Sequence, residues 1–354
     1  MKTMRAAILY GKEDVRIEDV AIPRAGVGEI VVKVEAALTC GTDLKVFRRG
    51  YHARMLKPPA PFGHELAGTI SEIGDGVTAF AVGDRVVALN SAPCDACFFC
   101  LHGQQNLCED LLFNNGAYAE YIRVPARIVE KNTLRVPGGL SFEKAALTEP
   151  LACCVRAIEE SAIAPGDTVA VIGAGPIGLL FIHAVALLGA KVVAVVKRPE
   201  QASLAERFGA THTVDISAVE DPIQAVRSFT NEHRGADVVL DAAAQPLTWQ
   251  WAVEMARKGG AVNFFGGPPA GTKVELDTNL LHYNDLTLKA SFHHTPATVR
   301  RAFRMICGEK FMAADFLTGR ASLENLQPTL ERLMQRTNEI KVVIDPSLGA
   351  RNAL

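Results

Sequence analysis

Cysteine spacing is the first sign of chemistry in this chain. Cys94, Cys97, Cys100 and Cys108 crowd into a stretch that also holds Gly103 and has little apolar periodicity. Four thiolates so close suit one closed tetrahedral zinc site, with no coordination position left for a substrate. Fe–S ligation uses similar spacings, and buried free thiols are the plain alternative. A metal held this way braces a lobe, expected over about residues 90–112, rather than catalysing. A second group is Cys40-Gly41-Thr42-Asp43 with Gly63-His64-Glu65-Leu66-Ala67-Gly68. One thiolate, one imidazole and one carboxylate fall short of four fixed ligands, which describes a zinc with room for substrate. Cys40 and His64 lie far apart in sequence, however, and on spacing alone chance pairing is the better reading. The third feature is Glu149 in Thr148-Glu149-Pro150, a lone carboxylate that by itself reads as a helix-end charge.

A different chemistry is written between Thr168 and Arg198. Thr168-Val169-Ala170-Val171-Ile172 is apolar and β-branched, as expected of a parallel strand buried on both faces. Gly173-Ala174-Gly175-Pro176-Ile177-Gly178 follows at once, an apolar segment of helical length comes next, and Val192–Val196 begins another strand. Strand, glycine turn, helix and strand within about 30 residues is the context a dinucleotide fingerprint requires. Gly173 permits the tight turn, Gly175 lets backbone approach a pyrophosphate, and Gly178 lets helix and strand pack closely. The run from Thr168 to Ala190 carries no formal charge, but its glycines and Pro176 would break a membrane helix, so a soluble chain is expected.

These groups must be placed by elements. Residues 5 to about 130 read as β-rich, with Ile30–Val34 and Gly68–Ile73 among the strands. A helix is expected near Ser141 that carries Glu149, with a further element to Ser161. Beyond Val196 the expected pattern is helix Gln201–Phe208, helix Asp221–Glu232, strand Asp237–Asp241, helix Leu247–Arg257, and strands Ala261–Phe265 and Leu286–Ala290. Strands separated by helices imply an open parallel sheet. From Thr298 the pattern turns to amphipathic helix, and Val342–Ile344 makes a terminal strand.

With 354 residues, two domains are expected. A net charge of −2, from 37 basic and 39 acidic residues, gives no general attraction to nucleic acid or anionic membrane. The first ten residues lack a sustained apolar core, so no signal peptide is read there. The eight cysteines should then stay reduced in a cytoplasmic protein. The segment from Leu44 to His64 holds Lys45, Arg48, Arg49, His52, Arg54 and Lys57 and no acid before His64. A solvated basic loop is the expected reading; steering of an anionic substrate is the alternative.

Taken together in this order, the motifs resemble the zinc-dependent medium-chain dehydrogenases, the alcohol, polyol and threonine dehydrogenase superfamily, over essentially the whole chain. The resemblance implies an α/β protein with a GroES-like β-rich catalytic domain (1–152 and 292–354) and a Rossmann doubly wound parallel-sheet domain (153–291). It implies two zincs per chain. Cys40, His64, Glu65 and Glu149 match the catalytic zinc, and Cys94, Cys97, Cys100 and Cys108 the structural one. Glu149 stands where the classical alcohol dehydrogenases place a second cysteine, which is similar to the sorbitol and threonine dehydrogenase branch. Cys153 and Cys154 are read as packing residues. Thr42 matches the hydroxyl that passes the alcohol proton outward, and Lys45 replaces the histidine on which many relatives end that relay. Gly173, Gly175, Pro176, Ile177 and Gly178 match the coenzyme turn. Phe265–Pro268 and Ser291–His294 fall where relatives contact nicotinamide.

The implied activity is hydride transfer between a secondary alcohol, polyol or sugar-derived substrate and NAD(P), by a homodimer or homotetramer. Threonine-type amino-alcohol oxidation and a non-catalytic nucleotide-binding protein are the alternatives. NAD-specific sites carry an acid about 20 residues past the glycines. Here Val196 takes that position and Lys197 and Arg198 follow, so NADP(H) is expected to be favoured over NAD(H).

Overall fold

The β-branched run at Ile30 extends beyond its apolar letters into a strand, Ile30–Leu38. In the computed structural model, which describes residues 2–335 and 337–349, this strand is the centre of one of two compact units. That unit comprises the described residues up to Pro150 and those from His294 onward. Ile30–Leu38 pairs antiparallel with Glu65–Ile73, with Tyr121–Val124 and, near Cys40, with Lys341–Ile344. Arg85–Ala88 and Thr133–Arg135 extend the sheet on one side and Leu317–Ala321 on the other. Its core buries Ile30, Val32, Leu66 and Ile70 with Phe47, Phe62 and Tyr118. Fully burying one such apolar side chain contributes about 1.5–3 kcal/mol.

The β-rich expectation holds for most of this unit, but helices interrupt it, the longest in that stretch being Gly41–Arg49 and Ala126–Asn132. The first forms because the Cys40 thiol caps it by accepting from Thr42 N, Asp43 sits in its first turn, and Gly50 ends it at φ 87°. Its buried face is short, Val46 and Phe47, and charges surround it, so its period is hard to read from sequence. The segment expected as a basic loop is therefore helical through Arg49. Glu149 lies in the first turn of the helix Thr148–Glu160, and Ser141 caps a separate short helix, Phe142–Ala146.

The second unit, Leu151–His293, is built on a six-stranded parallel sheet. Its strand order is His212–Asp215, Lys191–Val196, Thr168–Ile172, Ala236–Asp241, Ala256–Phe264, Thr287–Ala290. This is the doubly wound order, reversing between Thr168–Ile172 and Ala236–Asp241. His212–Asp215 escapes a sequence reading because it is an edge strand with one buried residue, Val214. The helix expected over Asp221–Glu232 stops at Ser228, followed by a 3-10 turn, Asn231–His233. The helix expected to Arg257 ends at Met255. Strand Ala256–Phe264 starts five residues earlier than Ala261, because it passes through Gly259-Gly260 with a register shift instead of breaking there. Among the described residues no helix is long and apolar enough to cross a membrane. The uncharged run from Thr168 splits into the strand Thr168–Ile172 and the helix Pro176–Leu187.

Candidate active site

Three potential ligand atoms, from Cys40, His64 and Glu65, lie within 4.8 Å of one another in the first unit. Cross-strand register explains why residues so distant in sequence meet. Leu38, two residues before Cys40, pairs with Glu65, and on its other side with Val343. Gly63 then turns the chain at φ 88°, where a Cβ would stand 2.6 Å from the Tyr118 ring. Only glycine makes that turn without displacing the ring, and the turn aims His64 inward.

His64 is buried, and its Nδ1 lies 2.9 Å from Asp43 Oδ1, a residue of the helix that Cys40 caps. In the neutral ring, Nδ1–H donating to the carboxylate leaves Nε2 as the lone-pair nitrogen, the arrangement common to metal-bound histidines. Burial lowers the His64 pKa, but the Asp43 carboxylate and the Cys40 thiolate outweigh it and hold it well above the ordinary histidine value. Burial and the charge of Glu65 push the Cys40 thiol up, and His64 pulls it back. A soft thiolate, an imidazole and a carboxylate converging in one buried place fit zinc.

Glu65 has a partner that sequence reading missed. Lys341 Nζ donates to Glu65 Oε1 at 2.6 Å and Oε2 at 2.5 Å, and to Thr39 O at 3.0 Å. Both side chains are fully buried. Burial lowers the Lys341 pKa, but Glu65 more than compensates, so the lysine stays charged. The only sequence signal was one lysine opening an otherwise apolar terminal strand. Asp43 stood in a motif already noted but had no role there.

Glu149 is not part of that trio. Its carboxylate is buried and lies within 4.8 Å of a ring nitrogen of His294, whose Nε2 is 3.0 Å from Asn90 Oδ1. Burial pushes Glu149 up to about 7, with the His64 charge opposing. Thr42 is half-buried, its backbone N–H 3.4 Å from Cys40 Sγ, and Lys45 follows on the same helix.

The four clustered cysteines do converge. Their sulfurs lie within 4.8 Å of one another, with Cys94–Cys100 and Cys97–Cys108 each at 3.9 Å. That separation is far too long for a disulfide, and it matches the edge of about 3.8 Å of a tetrahedron with Zn–S bonds of about 2.3 Å. Backbone N–H groups of Cys94, Ala96 and Cys97 point at Cys108 or Cys94 sulfur. Backbone hydrogen bonds draw Cys97 down to about 6, whereas burial pushes Cys100 up to about 12. Four thiolates cannot ionise together without a cation, which such a cluster fits.

In the second unit, Gly173 turns at φ 96°, and a Cβ on Gly178 would lie 1.7 Å from Gly173 O. A Cβ on Gly175 would meet nothing within 4 Å, so open space faces the backbone there, at the start of helix Pro176–Leu187. Pro176 and Ile177 form the first turn of that helix. Such a helix start, at the carboxyl edge of the sheet where strand order reverses, fits a dinucleotide pyrophosphate. Lys197 is exposed, and half-buried Arg198 is the N-cap of helix Pro199–Arg207, both just past the buried Val196. Phe265 and Gly266 N–H groups donate to Asp241 O, which holds the 265–268 turn at the same strand edge. Asn263 Nδ2 donates to Ala157 O, Ser161 Oγ and Ser291 Oγ, and Ser291 Oγ donates to Glu160 Oε2 at 2.5 Å.

Comparison with known proteins agrees with both units. Residues 26–135 match the model of the alcohol dehydrogenase GroES-like domain, and residues 176–307 that of the zinc-binding dehydrogenases. The chain is 30% identical to sorbitol dehydrogenase of Bacillus subtilis (strain 168) over 98% of each chain. It is 31% identical to L-threonine 3-dehydrogenase of Bacillus licheniformis over 95% of this chain and 96% of that one. A solved structure from Sinorhizobium meliloti 1021, assigned as a zinc-binding dehydrogenase and bound to NADP, superposes with a TM-score of 0.89 at 31% identity. It covers 98% of this chain and 100% of that one. A GroES-like unit, a doubly wound sheet and these matches place the chain in the zinc-binding, medium-chain alcohol dehydrogenase family. It is an oxidoreductase of that family.

Proposed function

We propose that the protein interconverts a secondary alcohol or polyol and its ketone by hydride transfer, using two zincs per chain and preferring NADP(H). The observation carrying this is the convergence of half-buried Cys40 with buried His64 and Glu65, an incomplete ligand set separate from a complete one. Cys40 and His64 would hold the first zinc, with Glu65 or Glu149 completing the set. Glu65 has both oxygens on Lys341, so it joins only by exchanging that partner. Cys94, Cys97, Cys100 and Cys108 would hold the second. Bound at the open site, zinc supplies a Lewis acid that lowers the pKa of a hydroxyl near it.

The chain's own groups do the rest. Asp43 keeps His64 in the tautomer that frees Nε2. The Thr42 hydroxyl accepts the alcohol proton and passes it toward water. In a turn shaped by Gly173 and Pro176, Gly175, Ile177 and Gly178 receive the pyrophosphate on backbone N–H groups, and Lys197 and Arg198 meet the adenosine 2′-phosphate. The turns at Phe265–Pro268 and Ser291–His294 border the nicotinamide. A cytoplasmic homodimer or homotetramer belongs to the same reading.

Threonine-type oxidation of an amino alcohol is the second reading, supported by the similarity to L-threonine 3-dehydrogenase. A panel of secondary alcohols, polyols, sugar phosphates and amino alcohols, assayed with each nicotinamide coenzyme, tests both. Turnover of polyols above amino alcohols is expected. Turnover confined to amino alcohols would favour the second reading, and coenzyme oxidation or reduction by none would contradict both.

A further inference from the structure

Behind His64 runs a chain of contacts that ends on a phenol. Tyr118 is fully buried, and its Oη donates to Asp43 Oδ2 at 2.5 Å. The other Asp43 oxygen, Oδ1, accepts from His64 Nδ1. Asp43 is itself 2% exposed, so these are two partners for a carboxylate with no access to bulk water. A phenol has one proton, and Tyr118 Oη also lies 3.1 Å from Leu38 O. The shorter contact takes the proton, because a carboxylate is the stronger acceptor. The ring is held from two sides. Phe62 meets it edge-on at 5.6 Å and 73°, and Gly63 leaves just enough room for it.

We propose that Tyr118 is a positioning residue for the His64 metal ligand, acting through Asp43, and that it sets how firmly the Cys40–His64 site retains its metal. The proposal rests on the reading of Cys40 and His64 as zinc ligands. Without the phenol proton, Asp43 Oδ2 is a buried anionic oxygen facing Leu38 O with no donor. The carboxylate is then held by one partner instead of two and is free to rotate, so Oδ1 ceases to fix the Nδ1–H tautomer of His64. Since His64 binds metal through Nε2, loss of that lock weakens binding without touching a ligand. Groups one step behind a ligand typically change metal affinity 10–100-fold, so roughly tenfold is expected for this residue two steps behind.

Tyr118→Phe keeps the ring and its packing and removes the hydroxyl alone. The experiment measures zinc release to a chromophoric chelator from the wild type, Tyr118→Phe, Asp43→Asn and the double variant, with release from the four-cysteine site as internal reference. Cobalt(II) absorption at the exchanged site supplies a second, spectroscopic readout. Tyr118→Phe is expected to bind zinc about tenfold more weakly at the first site only, with a changed cobalt spectrum. The double variant should bind no more weakly than Asp43→Asn. Tyr118→Phe affinity within twofold of wild type, an equal loss at both sites, or a loss that adds in full to that of Asp43→Asn would overturn the proposal. A wild type that binds no metal at Cys40 and His64 contradicts the zinc reading itself and is seen before any variant is compared. The metal-free variants are melted in parallel, since a packing defect lowers melting temperature and leaves the cobalt spectrum unchanged.

Discussion

Lys341 shows how much of a site can rest on a residue that no motif announces. It is a fully buried cation whose partners are a buried carboxylate and the Thr39 carbonyl. Removing one member of such a pair strands the other charge in a low-dielectric place and costs about 3–5 kcal/mol. Lys341→Met in metal-free protein is therefore expected to lose stability on that scale in urea unfolding, and a loss below about 1 kcal/mol would refute the pairing argument. At the same scale, Val196 ends the strand Lys191–Val196 and Lys197 and Arg198 follow it, with no acid among them. Each charge-assisted contact contributes about 1.5–3 kcal/mol, or roughly ten- to a hundredfold in affinity. Combining Val196→Asp with Arg198→Ala should erase or reverse an NADP preference in kcat/KM. Wild-type efficiency with NAD equal to or above that with NADP would show the preference is misread. The candidate ligands could be singled out because cysteine and histidine are scarce, eight and nine in 354 residues, and their spacing is informative. Asp43, Tyr118 and Lys341 were not, because their roles depend on partners brought close by folding.

Among the elements, the parallel sheet was the most legible, since strands buried on both faces show as unbroken apolar runs such as Thr168–Ile172. Boundaries failed where glycine did not mean a break, as at Gly259-Gly260, and where an edge strand such as His212–Asp215 carried little apolar signal. The helix Gly41–Arg49 escaped because its cap is a thiol, outside the usual set of capping residues. One contact network ties elements of the second unit together. Glu160, at the end of helix Thr148–Glu160, accepts from Ser291 and pairs with Arg156 at 2.5 Å and Lys289 at 3.2 Å. Burial raises the Glu160 pKa, but Ser291 and Arg156 outweigh it and hold the carboxyl below its ordinary value. A depressed carboxyl adds stability above its unfolded pKa of about 4.3, and that stability disappears as pH falls through the folded value. Glu160→Gln should therefore melt below wild type at neutral pH, and the gap should close as pH drops below about 4. A gap of constant size across that range would mean the charge contributes nothing.

On the scale of the whole molecule, the proposed function divides the labour between a zinc that holds and a zinc that reacts. The chain returns after the second unit to supply Lys341–Ile344 to the first sheet, so the surroundings of Glu65 are complete only when residues on both sides of that unit in sequence are in place. Two domains and their types were legible from length and from the change of pattern around the glycine turn. The return of the chain was legible only through family resemblance, because long-range strand pairing leaves no local mark. The closed cluster should behave as a brace. Cys94→Ser is expected to lower thermal stability and keep one metal, since structural zinc contributes directly to folding. The central claim is that an open zinc site at Cys40 and His64, separate from the four-cysteine one, does the chemistry. Its most direct test is the zinc content per chain of the wild type and of Cys40→Ser, by mass spectrometry under native conditions. The account predicts two zincs in the wild type, one in Cys40→Ser, and a folded variant without turnover. One zinc in the wild type, or two in an inactive Cys40→Ser, would contradict it.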